Sequence, residues 1–204
     1  METRLLISAQ YGALGYHSEI VNTTNKNVED IYPLSPNQLS LLFAHLYGSS
    51  DDPGQVLVRC WLEGNLDKSL FQACWQWVAH RHAVLRSSIH WQDIDQPLQV
   101  VRRTVDFDVH YKDAFAQSED EKQQTIQRLI DEERSSPMRL NQIPTFRITL
   151  LSFADGTHFM CWSCHHILVD GWSAGIVLTD IVRRYQDMLL KNNSSTPPPR
   201  RFHD

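Results

Sequence analysis

The fold of this chain is decided by residues 158–190, which read HFMCWSCHHILVDGWSAGIVLTDIVRRYQDMLL. The first part is a continuous apolar run typical of a buried strand, and the last part has apolar residues at helical spacing. Between them lies a short polar connection that contains His165, His166, Asp170 and Gly171. Because α/β folds tend to place chemistry where a strand leads into a helix, this connection is the candidate site.

The composition limits the function classes that need to be considered. The chain has 204 residues, 42% of them hydrophobic, and so can bury the core of a sizeable domain. A net charge of −5 argues against a nucleic-acid partner and against an anionic membrane, because phosphate groups bind basic faces. No signal peptide is evident and no apolar run approaches the ~18 residues of a membrane span, so a cytoplasmic location is expected.

The remaining patterns predict the element order α-β-α-β-β-β-α-β-β-α. Helices are predicted over residues 36–47, 67–82 and 118–134, and strands over 55–63, 85–91, 98–101, 107–111, 145–153 and 158–163. A hairpin turn is expected at residues 154–156. This order indicates an α/β fold, a two-layer sandwich of a mixed sheet with helices on one face.

The segment Cys161-Trp162-Ser163-Cys164-His165 matches the patterns of c-type haem attachment and of a redox cysteine pair. A redox pair needs its first thiol at a helix N-terminus, whereas both cysteines here lie in an apolar strand. Residues three apart in a strand point to opposite faces. Buried free thiols are therefore the better interpretation.

The segment GWSAG at residues 171–175 matches the nucleophile-elbow pattern of serine hydrolases, with a strand before it and a helix after it. In that fold the acid and the histidine follow the serine along the chain. Only His203 follows Ser173 in this sequence. A serine hydrolase is thus retained as an alternative, although no triad in the required order is expected if the chain is complete.

The pair His165-His166, followed by Asp170 and Gly171, is the third pattern in this stretch. Adjacent residues at a strand end point to opposite sides, so one imidazole faces the interior and the other a cleft. An exposed imidazole has a pKa near ~6.5 and suits proton handling near neutral pH. Gly171 lets the backbone approach a ligand at the start of a helix.

Three segments together carry a family resemblance. HHILVDGWS at residues 165–173 resembles the active-site motif of condensation domains of non-ribosomal peptide synthetases, which belong to the chloramphenicol-acetyltransferase-like superfamily. RHAVLR at residues 81–86 and YPLSPNQ at residues 32–38 resemble two upstream motifs of that family. One departure is Ser40, where some members carry an arginine that could pair with Asp170.

The resemblance covers only the N-terminal half of such domains, whose substrate tunnel runs between two similar lobes. Residues 1–30 are weakly patterned and are expected to be a leader or linker. The resemblance implies an N-terminal lobe at 31–191 and a proline-rich tail at 192–204 that leads toward a missing C-terminal lobe. The chain is therefore expected to be a fragment that is inactive when isolated.

The same resemblance assigns the catalytic residues and the reaction. The family joins an acyl or peptidyl thioester to the amine of an aminoacyl thioester. His166 is implied to face the tunnel as a general base or as a positioner of the amine. Gly171 is implied to keep the tunnel clear and to offer its N–H to an oxyanion.

Four further residues are implied to be structural at the active site. They are His165, which is expected to point inward, and Asp170, which is expected in a buried ion pair with Arg86 or alternatively with Arg81. Either arginine also fits the simpler role of a favourable charge at a helix C-terminus.

The implied partners are two carrier-protein domains that present the donor and the acceptor on phosphopantetheine arms, the C-terminal lobe, and a following adenylation domain. No cofactor bound directly and no metal are expected. A non-catalytic module that docks a carrier protein remains a second alternative, although the chain keeps both His166 and Gly171.

Overall fold

The computed structural model describes residues 27–48, 52, 54–114 and 118–191. Most of the expected leader and all of the proline-rich tail, including His203, lie outside the described residues. Within the described ranges the first regular element is a strand that starts at Val28, slightly before the expected start at Ile31. No helix within these ranges is long and apolar enough to cross a membrane.

The described ranges contain seven strands and four α-helices. In chain order they are β1 (Val28–Pro33), α1 (Pro36–Tyr47), β2 (Gln55–Glu63), α2 (Lys68–Arg81), β3 (Ser87–His90), β4 (Leu98–Arg102), β5 (His110–Ala114), α3 (Glu119–Ser135), β6 (Arg147–Phe153), β7 (Thr157–His165) and α4 (Gly171–Leu189). A 3-10 turn over Ala83–Arg86 precedes β3, so the strand predicted from residue 85 starts later than expected.

The helix starts follow the capping residues in the sequence. Ser35 accepts the backbone N–H of Gln38 and Pro36 occupies the first turn of α1, as its pattern predicts. Asp67 caps α2 through the N–H of Leu70 at 2.9 Å, and Ser118 caps α3 in the same way. The predicted helices are therefore confirmed, with boundaries close to those expected.

The strands form two sheets and not the single sheet that was expected. One has the order β1-β4-β3 and the other the order β2-β7-β6-β5. In the second sheet β7 lies antiparallel to both β2 and β6, whereas β5 runs parallel to β6 at the edge. The expected hairpin joins β6 to β7, and Gly156 supplies the positive φ of +81° that its turn requires.

The α/β class is confirmed, but helices cover both faces of the four-stranded sheet and not one face. Helices α2 and α4 pack on the face that carries Met160 and Trp162 of β7. Helix α3 packs on the opposite face, against Phe159 and Cys161. The alternation of β7 side chains shows why: both of its faces are apolar, and each must be covered.

Strand β1 was missed because its pattern is weak. It lies at an edge of the three-stranded sheet, paired with β4, and only Tyr32 within it is buried. An edge strand with a single buried side chain has no clear alternation by which a sequence can reveal it. Its place beside β4 brings the first motif, which continues into α1, against the candidate site.

Candidate active site

The candidate site is a tight turn between β7 and α4. The carbonyl of His165, the last residue of β7, accepts the backbone N–H groups of Leu168 at 3.0 Å and Val169 at 3.1 Å. Helix α4 then begins at Gly171, with Asp170 as its N-cap. The turn therefore displays His166 at its first corner, close to a helix N-terminus.

The two histidines of this turn point to opposite sides, as predicted. His165 is fully buried, with 0% of its surface exposed, whereas His166 is exposed. Burial lowers the pKa of His165, although the carboxylate of Asp52 opposes the shift. His165 is therefore neutral near pH 7, and His166 is the imidazole that a substrate can reach.

The loop before β2 holds both histidines. Oδ1 of Asp52 lies 3.2 Å from Nε2 of His165, and the backbone N–H of His166 donates to the carbonyl of Gly54 at 2.7 Å. Oδ2 of Asp52 lies 2.7 Å from Nδ1 of His45 at the end of α1. Burial alone would raise the pKa of Asp52, but the Gly54 N–H and the two imidazoles hold that pKa below its usual value.

Gln38 supports the turn from the other side. Its Nε2 donates to the carbonyl of Ile167 at 3.0 Å and to Oε1 of Gln99 on β4 at 2.9 Å. Its Oε1 accepts the backbone N–H of Ser35, which completes the capping box of α1. A residue of the first motif thus connects the three-stranded sheet to the candidate site.

No sequence pattern indicated a role for His45, Asp52 or Gly54, or for Gln38 beyond membership of a motif. The only local signal is the turn pattern Asp52-Pro53-Gly54, which predicts a loop without showing what it contacts. Contacts between residues over a hundred positions apart leave no periodic trace in a single sequence.

The expected ion pair of Asp170 is wrong. Asp170 is exposed, and its carboxylate caps α4 by accepting the N–H of Ser173 at 2.7 Å. Hydrogen bonds from the hydroxyl and the N–H of Ser173 lower the pKa of Asp170. An aspartate directly before a helix satisfies a first-turn N–H group, and this local contact replaces the distant arginine.

The two arginines have other partners, so neither braces Asp170. Arg86 is buried and donates to Ala79 and to Glu29 at 3.0 and 2.7 Å, as well as to the carbonyl of Arg102. It therefore joins α2 to the three-stranded sheet. Arg81 pairs with the buried Asp180 in the middle of α4, at 2.8 Å.

The surroundings of Gly171 are open. A Cβ built on this glycine meets no atom of the described residues within 4 Å. The side chain of Trp172 beside it is 83% exposed, and that of Ile176 one turn later is 46% exposed. The N-terminus of α4 therefore offers clearance for a ligand together with an uncovered apolar surface.

The two competing motifs gain no support from the geometry. Cys161 and Cys164 are buried free thiols on opposite faces of β7, and burial raises their pKa values to about 11 and about 12. Such thiols are protonated at neutral pH and do not form a redox centre. The hydroxyl of Ser173 is engaged by the carboxylate of Asp170, so it contacts an acid and not an imidazole base.

Three potential metal ligands converge beside the turn. The nearest nitrogen or oxygen atoms of His45, Asp52 and His165 all lie within 4.8 Å of one another. However, Nδ1 of His165 accepts the backbone N–H of Ile167 at 3.1 Å. A neutral imidazole then carries its proton on Nε2, so the atom that faces Asp52 has no lone pair for a cation.

The comparisons with known proteins agree with the geometry. Residues 28–204 match the sequence profile of the condensation domain family. The chain is 30% identical over 177 residues to tyrocidine synthase 2 of Brevibacillus parabrevis, covering 86% of this chain and 5% of that protein. It is 32% identical over 158 residues to bacitracin synthase 3 of Bacillus licheniformis, covering 78% of this chain and 2% of that protein.

Solved structures show the same fold. The starter condensation domain of the rhizomide synthetase superposes with a TM-score of 0.72 at 22% identity, covering 82% of this chain and 41% of that one. The first condensation domain of the CDA synthetase gives a TM-score of 0.74 at 14% identity, covering 83% and 42%. The chain thus spans less than half of each solved domain and a small part of each curated relative.

Proposed function

The chain belongs to the condensation domain family, and on that premise we propose that it forms one lobe of an active site that makes amide bonds between two thioesters. The donor is an acyl or peptidyl thioester and the acceptor is an aminoacyl thioester. The observation that carries the proposal is the exposed imidazole of His166, displayed on a turn that hydrogen bonds hold from both sides.

The chemistry needs little more than positioning and one proton acceptor. The amine nitrogen attacks the thioester carbon, a C–N bond forms, the C–S bond breaks, and the thiolate leaves with a proton. An α-amine has a pKa of about 8, so part of it is nucleophilic near neutral pH. His166 removes the proton from the attacking nitrogen or orients the amine, and either role supplies about 10²–10⁴-fold in rate.

Gly171 serves the same step as an oxyanion donor. It is the first residue of α4, and the first-turn N–H groups of a helix have no partner within the helix. Negative charge on the thioester oxygen during attack is stabilised by such groups. The open space at Gly171 leaves room for the substrate to approach them.

The partners follow from the same proposal. Carrier-protein domains deliver both substrates on phosphopantetheine arms, a C-terminal lobe completes the tunnel, and an adenylation domain follows. The support is that solved condensation domains are more than twice as long as the matched segment. In addition, α1 and α4 expose the large apolar side chains of Phe43, Tyr47, Trp172 and Ile176.

Replacement of His166 by alanine in the complete protein tests the proposal. We expect amide product to disappear, as measured by mass spectrometry of the acceptor carrier, while the thermal unfolding midpoint stays unchanged. Ser173→Ala is the matched control and should retain product. Full product formation by the His166→Ala protein would refute the proposal.

Two results would favour the alternatives. Stoichiometric labelling of Ser173 by an organophosphonate would indicate a serine hydrolase. Retained binding of a carrier protein, with no product from the unaltered complete protein, would indicate a non-catalytic docking module.

A further inference from the structure

We propose that Asp52 and His45 are positioning residues for His166, acting through His165 and Gly54. The proposal rests on the function proposed above. Neither residue touches the exposed face of His166. Both belong to a chain of hydrogen bonds that ends at the turn on which His166 is displayed.

The contacts of His165 assign the position of its ring proton. Its Nδ1 accepts the backbone N–H of Ile167 at 3.1 Å, and burial keeps the ring neutral. The single ring proton therefore lies on Nε2, which donates to Oδ1 of Asp52 at 3.2 Å. The ring is held at both nitrogens and cannot rotate without breaking one of these bonds.

The carboxylate of Asp52 is oriented by two further contacts. Its Oδ1 also accepts the N–H of Gly54 at 3.0 Å, while Oδ2 accepts from Nδ1 of His45 at 2.7 Å. The rings of His45 and His165 meet edge to face, with their centroids 5.3 Å apart. His45 thus holds the carboxylate so that Oδ1 faces both His165 and the Gly54 N–H.

The backbone of Gly54 links Asp52 to His166. Its carbonyl accepts the N–H of His166 at 2.7 Å, so the residue that Asp52 holds also holds His166. A Cβ built on Gly54 would lie 2.2 Å from Cε1 and Nε2 of the His165 ring. The loop therefore fits closely against both histidines, and a shift of Asp52 moves both contacts of the turn together.

A cation at this cluster is the competing interpretation. Cation binding through Nε2 of His165 would move the ring proton to Nδ1, where it would face the N–H of Ile167. Two donors would then oppose each other in a buried place, which disfavours this arrangement. The hydrogen bonds observed already satisfy every polar atom that the three side chains direct at one another.

The test compares Asp52→Ala with Asp52→Asn in the complete protein. The side-chain oxygen of asparagine can still accept from Nε2 of His165 and from the N–H of Gly54. Its NH2 group can donate to Nδ1 of His45, whose ring proton then lies on Nε2. We expect Asp52→Ala to lower kcat about 10²-fold with little change in KM, because small displacements of a positioned group cost that much. Asp52→Asn should restore most of the loss.

Asp155→Ala is the matched control. Asp155 also accepts a backbone N–H through Oδ1 and pairs with a base, Lys122, but it lies in the β6–β7 hairpin. We expect the kcat of the Asp155→Ala protein to equal that of the unaltered protein. Equal kcat for Asp52→Ala and the unaltered protein would overturn the proposal, as would equal losses in Asp52→Ala and Asp52→Asn.

A second measurement does not depend on activity. Nitrogen-15 NMR of the imidazoles in the unaltered protein should show His165 as the Nε2–H tautomer between pH 6.5 and 8. The Nδ1–H tautomer would overturn the proposal. So would stoichiometric binding of added Zn²⁺ that Asp52→Ala abolishes, since the cluster would then be a metal site.

If the Asp52→Ala protein does not fold, the His45→Ala variant tests the proposal in its place. It leaves the contacts of Oδ1 in place but frees Oδ2, and we expect kcat to fall about tenfold, less than for a full displacement. An unchanged kcat would overturn the proposal. Failure of the proposed function is distinguishable, because His166→Ala would then retain product whatever the Asp52 variants do.

Discussion

The guanidinium of Arg81 lies 2.8 Å from the carboxylate of Asp180, and this contact joins the end of α2 to the middle of α4. Nε2 of His82 lies 2.8 Å from the same carboxylate oxygen. All three side chains are at most 12% exposed. Helix α4 begins at the candidate site, with Gly171 as its first residue. This network therefore fixes the position of the helix that carries Gly171.

Asp180→Ala should therefore destabilise the fold strongly. Removing one member of a buried pair leaves the other charge uncompensated, which costs about 3–5 kcal/mol. Asp180→Asn should cost less, since its amide oxygen still accepts from Arg81. Urea unfolding of both variants measures the difference, and a loss below about 1 kcal/mol for Asp180→Ala, typical of exposed pairs, would contradict the buried geometry.

Gly54→Ala should disturb the turn, whereas Gly175→Ala should not. The added methyl group at Gly54 would overlap the His165 ring at 2.2 Å, and such overpacking costs about 1–3 kcal/mol. At Gly175, on α4, the methyl group meets no atom of the described part of the chain within 4 Å and should stabilise the helix by about 0.5–1 kcal/mol. Thermal unfolding of the two variants should shift in opposite directions, and a shift of the same sign would contradict the packing described at Gly54.

The free energy of unfolding should fall as the pH drops from 7.5 to 5.5. Burial lowers the pKa values of His82, His90 and His165 below the ordinary 6.5. In the unfolded chain these histidines bind protons as the pH falls through about 6.5, while the folded ones stay neutral until their lower pKa values are reached. The unfolded state is then favoured, and this part of the stability is lost over that window.

His90→Gln checks the cause of that pH dependence. It removes one of the three titrating groups, so the slope of unfolding free energy against pH should become shallower. Stability that stayed level or rose toward pH 5.5 would contradict the burial of these rings.

Cys161 and Cys164 should resist alkylation in the folded protein. Burial raises their thiol pKa values to about 11 and about 12, so almost no thiolate is present at pH 7.5. Mass spectrometry after iodoacetamide treatment should find both unmodified, and both modified once the chain is unfolded in urea. Rapid native labelling of either residue would show that β7 is less covered than its packing indicates.

The sequence predicts those parts of the structure that depend on local chemistry. Capping residues and periodicity locate α1 to α4, and the alternation at a strand end predicts that one of His165 and His166 points inward and the other outward, as the structure confirms. Which of the two points inward was implied only by the resemblance. The partner of Asp170 was predicted wrongly, because a resemblance transfers roles without the contacts of this chain. Its N-cap contact with Ser173 is local and could have been read from Asp170 standing directly before the helix.

Other contacts could not be predicted from the sequence because they join residues that are far apart along the chain. Periodicity shows that a side chain is buried but not what it is buried against, so Asp180 and Asp52 gave no sign of their histidine partners. The face of the sheet that α3 covers was predicted wrongly for the same reason. Its single apolar stripe fits either face of the four-stranded sheet, and only the topology decides between them.

The side-chain amide of Gln38 has a mechanical consequence. It bridges β4 of one sheet, through Gln99, and the turn that follows β7 of the other, through Ile167. The Gln38 side chain therefore links two sheets that share no strand pairing among the described residues. Any sliding of one sheet along the other would strain these two hydrogen bonds and displace the backbone that carries His166.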